Sequence, residues 1–152
     1  MKRRKILVYV ILSLLIVGGL LFGFNNDTHD AFPNIVTFIS INIGFCITAL
    51  SIISNSSFSK KLYDIEDSKD NSKTLLHTLI DKFKEAMVLF IITVACVLFY
   101  YFLEKNPFYF YLFKHHFSGT QLAQALIWNF TIFSFYEIVS VINLLSKFIV
   151  RF

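Results

Sequence analysis

Four apolar stretches alternate with polar ones along this chain, at Ile6 to Phe24, Ile35 to Ile53, Glu85 to Leu103 and Leu122 to Leu145. The first holds nineteen residues without a charge. A helix rising about 1.5 Å per residue over that length crosses a hydrocarbon core about 30 Å thick. Only one long run belongs in water. Ser57 to Lys84 carries Lys60, Lys61, Lys69, Lys73, Lys82 and Lys84 against Asp64, Glu66, Asp67, Asp70 and Asp81. The pattern predicts an all-α integral membrane protein with a single membrane domain over 1–152. Four transmembrane helices form two hairpins, joined by a cytoplasmic amphipathic helical connector at 57–84.

The connector has helical periodicity. Phe58, Leu62 and Ile65 recur at spacings of four and three, and Leu75, Leu76, Leu79, Ile80 and Phe83 repeat the pattern beyond a polar breaker at 67–73. The expected course continues the second span into the cytoplasm as an amphipathic helix, turns near Asp70 and returns as a helical hairpin. The apolar faces must then bury against each other, a neighbouring copy or a partner protein. Phe58, Leu62, Leu75, Leu79 and Phe83 are accordingly the candidate docking residues for a soluble cytosolic protein.

Composition supports the membrane reading. The chain is 56% hydrophobic and 16% charged, against about 25% charged for a soluble domain. The formal net charge of +4 suits nucleic acid less than its size suggests, because the connector is nearly balanced and no groove-reading motif is present. With both termini inside, twelve of the fourteen basic residues face the cytoplasm, leaving Lys105 and Lys114 outside. That asymmetry is a strong positive-inside signal, and the Phe, Ile, Lys and Asn bias fits an AT-rich bacterial genome, so a bacterial inner membrane is expected. Lys2-Arg3-Arg4-Lys5 is also how a signal peptide begins, but a signal peptide's apolar core runs only about 7–15 residues to a small-x-small site. Here the run is longer and Leu21-Phe22-Gly23 is a poor cleavage site, so an uncleaved anchor is expected.

Chemistry-bearing residues are few. Gly19 and Gly23 form a small-xxx-small pair that lets another helix approach closely. Asn42 places an amide in the second span, where it needs a partner from a neighbouring helix. Glu137 is the one ionisable side chain deep within a span, and such a residue costs about 2.5–3.5 kcal/mol to insert at mid-membrane. Ser134 and Ser140 share its sector of the fourth helix. Phe108 to Phe117 reads as an aromatic belt at the interface, with His115 and His116 as interfacial polar residues. Cys46 and Cys96 lie inside apolar runs as small hydrophobes. Nothing in the spacing calls for a metal or any other cofactor. No zinc motif, paired intramembrane aspartates or Ser–His arrangement argues for an enzyme.

Two function classes remain. The layout resembles the small four-span membrane subunit of Kiwa-type bacterial anti-phage defence systems. The shared points are the basic start at Lys2-Arg3-Arg4-Lys5, four spans, both ends inside and a helical cytoplasmic connector. The resemblance implies a homo-oligomeric sensor or scaffold in the lipid bilayer that detects phage attack and engages a cytosolic effector. The alternative is a pore-forming or holin-like effector, or a small channel, lined by Ser134, Glu137 and Ser140. A small multidrug-type exchanger also has four spans and one membrane glutamate, but carries that glutamate in its first span and has short loops.

Overall fold

The computed structural model of the protein describes residues 10, 13, 14, 18, 29–67, 70–106, 108–112 and 115–151. A 3-10 turn at His29–Ala31 leads into α1, Phe32–Ser54. Then follow α2 at Ser57–Tyr63, the strands β1, Glu66–Asp67, and β2, Asp70–Thr74, and α3 at Leu75–Lys105. The strands β3, Tyr109–Leu112, and β4, His115–Ser118, precede α4 at Gly119–Arg151. Helix α1 and α3 and α4 are each long and apolar enough to cross a membrane, which makes this a multi-pass membrane protein by length and composition. The first apolar run, 6–24, falls outside the described residues apart from Val10, Ser13, Leu14 and Gly18, whose backbone is helical.

Unlike a soluble bundle, the structure is apolar outside as well as in its core, and several polar side chains are buried. Ile41, Ile52, Ile91, Leu98 and Phe102 are all at least 60% exposed, whereas Thr93, Asn129, Thr131 and Ser134 are buried. An apolar exterior is costly in water and costs nothing in hydrocarbon, where polar groups must instead find partners inside. Thr131 does so within its own helix, donating from Oγ1 to the Ile127 carbonyl at 2.7 Å.

Helix boundaries follow local chemistry. Pro33 sits in the first turn of α1, where its missing N–H is not needed. Ser54-Asn55-Ser56-Ser57 ends the helix: the Ser54 and Ser56 hydroxyls donate to the carbonyls of Ser51 and Ile53 at 3.0 and 2.8 Å. The same carbonyls accept the Asn55 and Ser56 backbone N–H groups at 3.3 and 3.1 Å, so the last turn is closed by backbone and hydroxyl together. The second span therefore does not run on into the connector, as the spacing of Phe58, Leu62 and Ile65 suggested; the chain breaks at Asn55–Ser56 and restarts as the seven-residue α2. The expected helical hairpin is likewise interrupted by a short antiparallel ribbon, with Glu66 opposite Thr74 and Asp67 opposite Asp70.

Helix α3 has 31 residues and spans about 46 Å. That is longer than a hydrocarbon core, so its first ten residues, the far arm of the connector, stand beyond the apolar segment that begins near Glu85. At the other end, the Asn106 side chain and backbone N–H both donate to the Phe102 carbonyl. The expected aromatic belt is a β-hairpin, in register from Tyr109 opposite Ser118 to Leu112 opposite His115. Its stem closes through Gly119, whose N–H donates to the Phe108 carbonyl at 2.9 Å. A Cβ at Gly119 would run into the Phe108 ring, so a larger residue there would require that ring to move. Ser118 and Gln121 then cap α4 reciprocally: Gln121 Oε1 accepts the Ser118 N–H at 3.0 Å, and Ser118 Oγ accepts the Thr120 N–H at 3.3 Å.

The chain divides into two compact units, 1–36 with 92–133 and 37–91 with 134–152. In the first, the Phe32 ring meets Tyr100 edge to face at 4.7 Å, and Asn129 Nδ2 donates to Ser13 Oγ at 2.7 Å. The second bond ties the first apolar run to α4 and satisfies an amide that is only 4% exposed. In the second unit, Phe38 stacks on Phe135 with ring centres 4.2 Å apart, above a core that includes Ile39, Cys46, Phe90 and Val141.

Candidate functional site

The second unit holds almost every residue with chemistry. Its connector is a built element rather than a loop. The Leu75 N–H donates to the Ile65 carbonyl at 2.9 Å and closes the ribbon onto the start of α3. Thr78 Oγ1 donates to Asp67 Oδ2 at 2.7 Å, and the Tyr63 ring lies 6.1 Å from the His77 ring. Lys73 Nζ reaches Asp81 at 2.5 Å across an exposed surface, where an ion pair contributes at most about 1 kcal/mol. Asp67 is buried and hydrogen-bonded, so the Thr78 contact holds the ribbon more firmly than Lys73 does.

Leu62, Leu75, Leu79 and Phe83 are all buried within the chain, at 5% exposure or less. These four residues are covered by the chain itself, without a neighbouring copy or a partner protein. They leave no exposed side chain at those positions for a partner to touch. Phe58 is half-buried and lines a shallow groove with Ser57, Lys61 and Ile149. The exposed part of the connector is elsewhere: Tyr63 at 58%, with Lys60, Asp64, Glu66 and His77 also exposed.

Glu137 has a cation that its own sequence neighbourhood does not supply. Lys82 Nζ lies 3.5 Å from Glu137 Oε2 and 2.5 Å from Glu85 Oε2. The Glu137 side chain is 16% exposed, Lys82 30% and Glu85 63%. The shorter contact is thus the more solvated, and the longer one is where a carboxylate would otherwise face apolar side chains unpaired. Lys82 belongs to the connector arm of α3, seven residues past its start. No spacing rule could have found this pair, since its members are 55 residues apart on different helices.

The other expected residues are dispersed. Ser134 is fully buried and Ser140 half-buried, on the same helix as Glu137. Asn42 donates to the Phe38 carbonyl of its own helix at 2.7 Å, so its amide is satisfied without a neighbouring helix and without Glu137. Gly19 and Gly23 lie outside the described residues; beside them, a Cβ on Gly18 would meet nothing within 4 Å. Sequence reading missed Lys82 as Glu137's partner and Tyr63 as an exposed aromatic. Comparison with known proteins adds no relative: no protein family, curated protein or solved structure matches the chain significantly.

Proposed function

We propose that the chain is a membrane-embedded, homo-oligomeric sensor or scaffold subunit that docks a cytosolic effector through its connector, in a bacterial anti-phage defence system of the inner membrane. The observation that carries this reading is the pinned connector. Leu75–Ile65 and Thr78–Asp67 fasten it to the base of α3, and Lys82 ties that base to Glu137 of α4. A partner gripping the connector therefore pulls on two membrane helices directly. The docking face is assigned to Tyr63 with Asp64, Glu66 and His77, since an exposed aromatic amid polar groups is the usual anchor of an interface. Lys82 lies 3.5 Å from Glu137, which weighs against a pore lined by Ser134, Glu137 and Ser140.

The reading includes four spans. Three long helices, with Lys147 and Arg151 closing α4 on the cytoplasmic side, put the start of α1 outside. The first apolar run must then return Lys2 to Lys5 to the cytoplasm, in accord with the positive-inside pattern. A reporter active only in the cytoplasm, fused before Met1, is expected to be active; inactivity there with activity at the C-terminus would establish three crossings instead.

The functional test is purification of the tagged, full-length protein from its host in mild detergent, with native mass measured. A stoichiometric soluble protein is expected, lost on Tyr63→Ala while the membrane oligomer keeps its mass. A bare oligomer that conducts ions in lipid bilayers would replace the scaffold reading by the pore.

A further inference from the structure

The groove lined by Ser57, Phe58, Lys61 and Ile149 is chemically divided. Lys61 and the Ser57 hydroxyl supply a cation and a donor, while Phe58 and Ile149 supply an apolar floor. On α2 the angular positions of Ser57, Phe58 and Lys61 fall within about 100°, turned away from Tyr63. Among the described residues no carboxylate pairs with Lys61 or with Lys60 beside it, and none lines the groove. Lys61 is exposed and has no carboxylate partner among the described residues, which leaves it available to an outside anion.

The position of the groove identifies that anion. Ser57 comes three residues after the end of α1 at Ser54, and Ile149 closes the membrane-compatible stretch of α4. Both walls therefore stand where the helices leave hydrocarbon for water, at the depth of phospholipid headgroups. Ile149 is 66% exposed, an apolar surface suited to acyl chain rather than to water. We infer that this groove binds an anionic phospholipid, its phosphate held by Lys61 and Ser57 and the upper part of an acyl chain lying on Phe58 and Ile149. Charge complementarity excludes a basic protein segment, and the apolar floor distinguishes the site from one for a free anion. This goes beyond the docking reading, which uses the Tyr63 face of the same helix.

The experiment uses the full-length protein in detergent, titrated with phosphatidylglycerol or phosphatidylcholine and read by native mass spectrometry, with inorganic phosphate as competitor. Wild type is expected to retain phosphatidylglycerol over phosphatidylcholine. Lys61→Gln should weaken phosphatidylglycerol retention about fivefold, the effect of one lysine near an anionic surface. Lys84→Gln removes another exposed charge, outside the groove, and should change it little. Ile149→Ser should also weaken retention, because the acyl contact is lost. Equal losses in the two lysine variants would reduce the effect to general charge and overturn the site. Displacement of the lipid by inorganic phosphate, or no effect of Ile149→Ser, would overturn the lipid and leave a soluble anion. Retention of a second copy of the chain in place of lipid, abolished by Lys61→Gln, would overturn it in favour of self-association.

Discussion

Lys82→Met should destabilise the protein by about 2–3 kcal/mol, whereas Glu137→Gln should cost about 1 kcal/mol or less. The asymmetry comes from what each change leaves behind. Without Lys82, the Glu137 carboxylate, 16% exposed, has lost its cation, and breaking a fully buried pair costs about 3–5 kcal/mol. Partial exposure of Lys82, at 30%, moves the figure toward the lower end. Without the Glu137 charge, Lys82 still has Glu85 at 2.5 Å and loses only one long contact, and the new amide can hydrogen-bond in place. Replacing both by apolar residues, as Lys82→Met with Glu137→Leu, should recover most of the loss, because well-packed apolar side chains often serve as well as a buried pair. Over wild type, Lys82→Met, Glu137→Leu and the double variant, the coupling is expected to be about 2 kcal/mol. Equilibrium unfolding in mixed micelles measures all four proteins. Additive single-variant effects would show that Lys82 and Glu137 do not work as a pair.

That pair changes the functional weight of Glu137. Read alone, an acid within an apolar helix invites proton or ion chemistry. Read with Lys82, it is a fastening between α4 and the connector arm of α3. The same contact gives a route by which movement of the connector could reach the membrane helices, since Lys82 has a second carboxylate, Glu85, to turn to when α3 shifts.

Much of the architecture is legible in the residues, and the failures have identifiable causes. The apolar runs at 35–53, 85–103 and 122–145 fall inside α1, α3 and α4, because uninterrupted hydrophobicity over that length has few other solutions. The start of α4 carried a signal that went unread, Ser118 followed three residues later by Gln121. The break at Asn55–Ser56 was obscured by the helical spacing of Phe58, Leu62 and Ile65, which α2 continues only as far as Tyr63. The hairpin at 109–118 gave no alternating signal, since its strands are aromatic on consecutive positions and are held by their stem at Phe108 and Gly119 instead. Asn42 was expected to seek another helix because an amide in lipid needs a partner; the Phe38 carbonyl, one turn back, is nearer than any neighbour. Lys82 counted as a water-facing connector residue because its depth depends on how far α3 extends below the membrane.

Leu79→Asn should unfold the connector while leaving the spans inserted. Leu79 is fully buried; removing such a side chain costs about 2–5 kcal/mol, and the amide adds a buried polar group whose partners are missing. The whole loss falls on a small element, held otherwise by the ribbon, Thr78–Asp67 and the exposed Lys73–Asp81 pair. Insertion depends on the hydropathy of the spans, which this change does not touch. Limited trypsin digestion of inverted membrane vesicles reads the outcome at Lys60, Lys61 and Lys73. Rapid cleavage is expected in Leu79→Asn and wild-type resistance in Tyr63→Ala, whose exposed ring supports little of the fold. Polar substitutions at Leu75, Leu79 and Phe83 therefore report on folding before they report on a partner. Tyr63→Ala separates the two, because partner loss with an intact digestion pattern can only come from the surface. A wild-type digestion pattern in Leu79→Asn would mean that the apolar arm of α3 is not sealed within the chain, and that its leucines are open to a partner after all.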